Sequence, residues 1–204
     1  MFGKKTGVAT RILQPQPKAH PTHCLGHSLS FGVKDAVRSC KVLSDTMDTL
    51  KELITLIKYS PKRETMLGNL KDNIEGETYN GEEKVPGIVK FCPTRWTVKA
   101  TCYQRILDNC ASLFKVWDAC LESKIDTDTR ACILSCQAQM KRFQFFFGLQ
   151  LSQRLFAHTD NLSKSLQSKR LSATTRQNLA RLTVNALESI RNDESFNSFY
   201  DVIL

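Results

Sequence analysis

The sequence predicts a mainly α-helical protein, on three observations. Apolar residues recur at three- and four-residue steps through most of the chain, the period of a helix with one buried face. Only one segment, Ala19–Cys24, is a tolerable strand candidate. Residues 75–90, "EGETYNGEEKVPGIVK", hold three of the nine glycines and four glutamates, and so read as the best loop and domain boundary.

Taken in order, residues 3–14 predict a short helix ended by Pro15 and Pro17, which cannot continue it. From Leu25 the pattern turns helical, with Leu29, Val33 and Val37 on one face. Leu43, Met47, Leu50, Ile54 and Ile57 then alternate steps of four and three, with Leu53 and Leu56 widening the stripe. This predicts an amphipathic helix of about 18 residues, roughly 27 Å long. Ser60-Pro61 reads as an N-cap and first helical residue, opening a helix through about Ile74. After the loop, Ile106, Leu107, Cys110, Leu113, Phe114, Trp117 and Leu121 trace one face of a long helix. Asp126 and Asp128 suit the positive end of the next helix, which is expected to reach Phe156. Two more helices, near 172–191 and 194–204, complete the reading.

Composition limits the function classes. The 204 residues suffice for one large domain or two small ones, and 41% hydrophobic with 24% charged is an ordinary globular balance. No apolar run approaches the roughly 18 residues a spanning helix needs, and the start "MFGKKTGVATR" lacks a signal peptide's apolar core. An intracellular protein, neither secreted nor membrane-bound, is expected. The eight cysteines then read as free thiols, mostly small buried hydrophobes at helical spacing. Net charge is +9, and Lys164, Lys169, Arg170, Arg176 and Arg181 fall in a stretch, Asn161 to Leu187, that contains no acid. Such a field favours polyanions, nucleic acid being the commonest inside cells; a solvated basic face is the equal alternative on charge alone.

The stretch "PTHCLGHSLSFGV", residues 21–33, crowds His23, Cys24 and His27 into five positions. A structural zinc site needs four ligands in two close pairs, and the only second pair, Cys132 and Cys136, lies over a hundred residues away in an apolar helix. A Cys24 thiolate paired with a nearby histidine lacks a third, orienting group. The structural reading is the stronger one: His27 bonding a preceding turn while Cys24 fills an apolar gap.

Three blocks carry a family resemblance. "THCLGHSLSFGVKDA" (22–36), "FCPTRWTVKA" (91–100) and "FFFGLQLSQRLFAHTDNLSKSLQ" (145–167), in this order, resemble transposases of the hAT superfamily and their domesticated kin, the zinc finger MYM-type-like proteins. The resemblance implies an RNase H-like domain interrupted by a large all-helical insertion. Residues 1–39 would be a remnant of that core (one helix, one short strand), 40–75 a helical connection, 76–90 a loop, and 91–204 the insertion. In the family, two catalytic carboxylates precede the insertion and a third follows it. Met1 falls on a methionine just after the second, so the acids are expected to lie outside this chain, with no catalytic residue within it.

Cys24 and His27 match the family's C-x-x-H motif bordering the catalytic pocket; Ser30, Phe31 and Gly32 depart from the usual Asn-Leu-Ala there. Thr94, Arg95 and Trp96 match the motif whose tryptophan stacks on a DNA base, an interaction of roughly 1–3 kcal/mol per base, with the guanidinium holding phosphate. Trp96 as an ordinary core aromatic is the competing reading. Asp35, Asp45 and Asp48, beside Lys34, Arg38 and Lys41, are expected to be exposed rather than metal-bound.

The expectation is therefore a catalytically inactive hAT-like remnant, nuclear, with no metal, cofactor or small-molecule substrate. Its nucleic-acid contact would be weak and salt-dependent, through Thr94–Trp96 and the basic residues 164–181. Two alternatives stand beside it. One is a helical protein-interaction module that self-associates or docks a partner through the Phe143–Phe156 cluster. The other is a fragment without independent function.

Overall fold

The computed structural model describes residues 7–19, 25–77, 86–91, 98–168 and 170–203. Every regular element among them is a helix, as the periodicity predicts. The order is α1 Val8–Leu13, α2 Leu25–Ser39, α3 Lys41–Lys58, α4 Pro61–Glu77, α5 Lys99–Asp108, α6 Cys110–Glu122, α7 Thr127–Met140, α8 Phe143–Gln167, α9 Ala173–Ser189 and α10 Asp193–Ile203. Ala19, where the strand candidate begins, is irregular, and residues 20–24 lie outside the described residues.

Local signals place four of the boundaries. The α1 helix gives way to turn at Gln14-Pro15. Ser60 Oγ accepts from the Arg63 N–H at 3.4 Å ahead of Pro61, and Asp126 accepts from the Thr129 N–H at 2.8 Å ahead of α7. Ser172 does the same for α9, through the Thr175 N–H at 3.1 Å.

Two predicted helices are each divided. The stripe Ile106–Leu121 breaks at Asn109, where the backbone leaves helical geometry (φ −108°, ψ 8°). The Asn109 amide donates to Arg105 O at 2.6 Å and Pro86 O at 3.2 Å, so its side chain competes for carbonyls that a continuous helix or water would otherwise satisfy. The helix expected to run from Asp126 to Phe156 ends at Met140; Arg142 is extended (φ −85°, ψ 133°) and α8 restarts at Phe143. No glycine or proline marks that turn. It lets both Met140 and Phe145 reach the interior, where they are 5% exposed each.

The interior is built around α8. At 25 residues this helix is about 38 Å long, and α2, α3, α5, α7 and α9 all pack on it. Its buried stripe is Phe145, Leu149, Ser152, Phe156, Asp160 and Ser163, spaced by three and four. Gly148 permits the close crossing with α3: a methyl group there would overlap the Thr46 hydroxyl. The seven-member stripe predicted for α3 is inside as expected, Leu56 only partly so. One apolar cluster joins Val37 of α2 to Leu50, Ile57, Ile106, Trp117, Ile133 and Phe156. Trp117 has no exposure, and its indole N–H points at Met140 Sδ, 3.4 Å away.

Candidate functional site

The described residues of the three sequence blocks meet along α8. The first block supplies α2, whose Gly26 abuts the third block's Gln167 so closely that a Cβ would sit 3.1 Å from the amide nitrogen. The second block runs into α5. Its Ala100 N–H donates to Asp160 Oδ2 of the third block at 2.8 Å. Val98, the N-cap of α5, provides no side-chain cap, so the carboxylate from α8 takes that role across the helix interface. Long stretches of chain separate each block from the next.

Around that contact the charges are unusual. Lys99 is 3% exposed and Asp160 4%. The Lys99 ammonium lies 5.0 Å from the centroid of the Phe156 ring, which stacks on Tyr103 at 5.3 Å. Burial pulls the Lys99 pKa down to about 7; the Asp160 charge opposes that, and the ammoniums of Lys51 and Lys34 add to it. Burial likewise pushes the Asp160 carboxyl up to about 6, against the Ala100 N–H and the charges of Lys164 and Lys99. A lysine and an aspartate held this far from their ordinary values mark a place where charge is retained at a cost in stability. Residues from all three blocks contribute: Lys34 from the first, Lys99 from the second, Asp160 and Lys164 from the third.

Of the predicted site residues, Cys24, Thr94, Arg95, Trp96 and Lys169 lie outside the described residues. His27 is exposed on α2, its ring edge-on to Phe31 at 4.9 Å. Lys164, Arg170 and Arg181 are exposed, in keeping with a solvent-facing basic stretch. Arg176 is half-buried and donates to Ser168 O at 2.7 Å, tying the turn between α8 and α9.

Asp35, Asp45 and Asp48 are all solvent-accessible; Asp45 pairs with Lys41 at 2.8 Å and Asp48 with Lys51 at 2.7 Å. No cluster of three potential metal ligands occurs among the described residues. The six described cysteines are free thiols. Cys132 is exposed while Cys136 is buried against Glu52, and burial raises its thiol to about 12, which disfavours the thiolate a metal would need.

The phenylalanine cluster divides by function. Phe145 and Phe156 are core residues. Phe143 and Phe147 meet Tyr200 and Phe199 of α10 at ring distances of 5.7–6.4 Å.

Sequence reasoning missed Lys99 and Asp160. Asp160 had a signal: it is the one acid on the three-and-four spacing that Phe145, Leu149 and Phe156 define. Lys99 had none, since a lysine in the first turn of a helix ordinarily points to water.

Comparison with known proteins adds one result. No family model matches the chain, and no solved structure matches it. It is similar to a mouse protein, the 52 kDa repressor of the inhibitor of the protein kinase, with 25% identity over 172 residues. The match covers 79% of this chain and 21% of that protein, so the chain spans about a fifth of the relative's length. Among the described residues no helix is long and apolar enough to cross a membrane.

Proposed function

We propose that this chain is a helical module derived from a hAT-like DNA transposase, part of the RNase H-like core with most of its helical insertion, that contacts nucleic acid without catalysing its cleavage. The observation that carries the reading is the convergence on α8. Described residues of three blocks chosen for their family resemblance, far apart in sequence, pack on one another and bring two buried charges into register. Proteins seldom retain an ammonium and a carboxylate in the interior without a task for them. The exposed cations of residues 164–181 supply a field for phosphates, and a nuclear location would follow from that partner.

The similarity to the mouse repressor supports a regulatory rather than catalytic setting, since that protein is named as a repressor. The test is fluorescence anisotropy of the purified chain with labelled DNA between about 50 and 200 mM salt, conditions in which a few phosphate contacts already change affinity by about tenfold or more. Affinity falling steeply with salt supports the proposal; no binding at the lowest salt refutes it. Trp96→Ala is expected to lower affinity while circular dichroism stays unchanged, whereas collapse of the helical signal would make Trp96 a core residue. DNA cleavage dependent on Mg²⁺ or Mn²⁺ would overturn the non-catalytic part.

A second reading is favoured by the surface of α10. Phe196 is 52% exposed and Phe143 46%, and both rings meet that of Tyr200. This apolar edge fits self-association or a protein partner. Sedimentation velocity across a hundredfold concentration range distinguishes it, a concentration-dependent shift supporting the interaction module.

A further inference from the structure

The last helix, α10, reaches α8 through aromatic rings, Phe199 and Tyr200 against Phe147 and Phe143. Among the described residues only Ile203 is buried on α10, and none is on α9. The apolar residues that these helices turn towards α8 therefore do not close on one another. Between α8, α9 and α10 lies an open cleft of about 680 Å³. Leu151 and Leu155 of α8, Leu187 of α9, Ile190 just after it, and Phe196 and Phe199 of α10 make its walls.

This volume falls within the roughly 300–1,000 Å³ of small-molecule sites, which are mostly apolar with a few polar groups. Here those groups include charges. Arg154 of α8 is half-buried, its guanidinium 5.6 Å from the centroid of the Phe199 ring, with no carboxylate in ion-pair range among the described residues. Arg191 and Asp193 stand exposed at the rim. Two arginines against one aspartate leave one net positive charge, the complement of a monoanion. A second cavity, of about 210 Å³, adjoins the cleft, since Leu155 and Leu187 line both. Val33 and Val37 of α2 and Phe156 of α8 wall it, and it holds one group without a partner, the hydroxyl of Ser152, a residue 1% exposed.

We propose that this cleft binds a small carboxylate with an extended apolar body, of the medium-chain fatty-acid type. The carboxylate pairs with Arg154, whose planar fork matches it and whose partly desolvated place against Phe199 strengthens the pair. The apolar body covers Leu151, Leu187 and Phe196, and its far end enters between Leu155 and Leu187. The Ser152 hydroxyl limits the depth, because an alkyl end pressed on it would leave it without any partner. A second copy of this chain fits less well, since a symmetric contact would bring the same unpaired arginines together. The site is independent of the nucleic-acid contact proposed above, and it covers part of the α10 edge that the second reading gives to a protein partner.

The test is calorimetry of the purified chain with decanoate, 1-decanol and decyltrimethylammonium, each below its micelle-forming concentration. Decanoate is expected to bind one per chain, about tenfold or more tighter than 1-decanol, with the ammonium weakest. Affinity should rise through hexanoate, octanoate and decanoate, by up to about fourfold per methylene. Arg154→Met is expected to bring decanoate down to the affinity of 1-decanol and to leave 1-decanol unchanged. Leu187→Trp fills the cleft and should abolish binding of both, while Leu182→Trp, on the exposed side of the same helix, leaves them as in the parent. If Leu187→Trp loses its helical circular dichroism signal, Phe196→Ala takes its place, and weaker decanoate binding is expected. Amide exchange in α10 should slow on saturation with decanoate, because the ligand fills the gap beneath that helix.

No saturable binding of decanoate overturns the proposal. So do equal affinities for the three compounds, the mark of an ordinary apolar surface, and an Arg154→Met variant that keeps the preference for carboxylate. Each of these failures leaves DNA binding by the parent, and with it the function proposed above, standing.

Discussion

At the scale of single residues, Lys99 and Asp160 have opposite consequences for stability. The folded pKa of Asp160 is raised to about 6 from 3.8, so its contribution is fully present below about 4 and lost as pH rises through 6. The folded pKa of Lys99 is lowered to about 7 from 10.5, so its contribution is complete only above 10.5 and is lost as pH falls through 7. The two together put a minimum in stability between about pH 6 and 7. Asp160→Asn, which keeps an oxygen to accept the Ala100 N–H, is expected to raise the melting temperature at mildly alkaline pH and to abolish the part of the acid limb this residue carries. Lys99→Met should flatten the alkaline limb. Each limb is worth on the order of 1–3 kcal/mol, because a tenfold change in a protonation equilibrium corresponds to about 1.4 kcal/mol and nearby solvent screens part of it. Melting temperatures of parent and variants from acid to alkaline pH check both; a parent curve parallel to both variants would contradict the assignment.

At the scale of elements, the helix ends divide into those with a chemical cause and those without. Asp126 caps α7, and Asp126→Ala is expected to lower the urea unfolding midpoint while leaving the slope unchanged. Asn109 separates α5 from α6 by bonding two carbonyls with its side chain. Asn109→Ala leaves a buried site without those bonds and is expected to cost about 1–3 kcal/mol. Gly148 makes room for Thr46 where α3 crosses α8. Gly148→Ala is expected to lose about 1–3 kcal/mol through overpacking, although alanine is the better helix former, and Thr46→Ser in the same chain should recover little because the hydroxyl, the nearest atom, remains. The turn at Arg142 has no such residue behind it; it exists because α7 and α8 must both bury apolar stripes.

At the scale of the whole molecule, one apolar cluster runs from Val37 on α2 to Phe156 on α8. The segment read as a core remnant, residues 1–39, thus contributes to the same interior as the segment read as an insertion. A single interior predicts a single unfolding transition. The fluorescence of Trp117, in a Trp96→Phe background, is expected to change with the same midpoint as the far-ultraviolet circular dichroism signal in a urea titration. Two separated midpoints would mean that α1–α4 and α5–α10 fold independently.

Much of this was legible in the sequence because helix periodicity is local. The face of α3, the α4 start at Pro61 and the α7 cap each follow from residues within a few positions of one another. The exposure of Asp35, Asp45 and Asp48 follows likewise from their helix faces. What only the tertiary structure decided is where helices stop without a breaker, which phenylalanines face the core, and that a lysine and an aspartate on different helices, far apart in the chain, share one interior. Those outcomes depend on which surfaces pack against α8, and packing joins residues whose separation along the chain leaves no periodic trace.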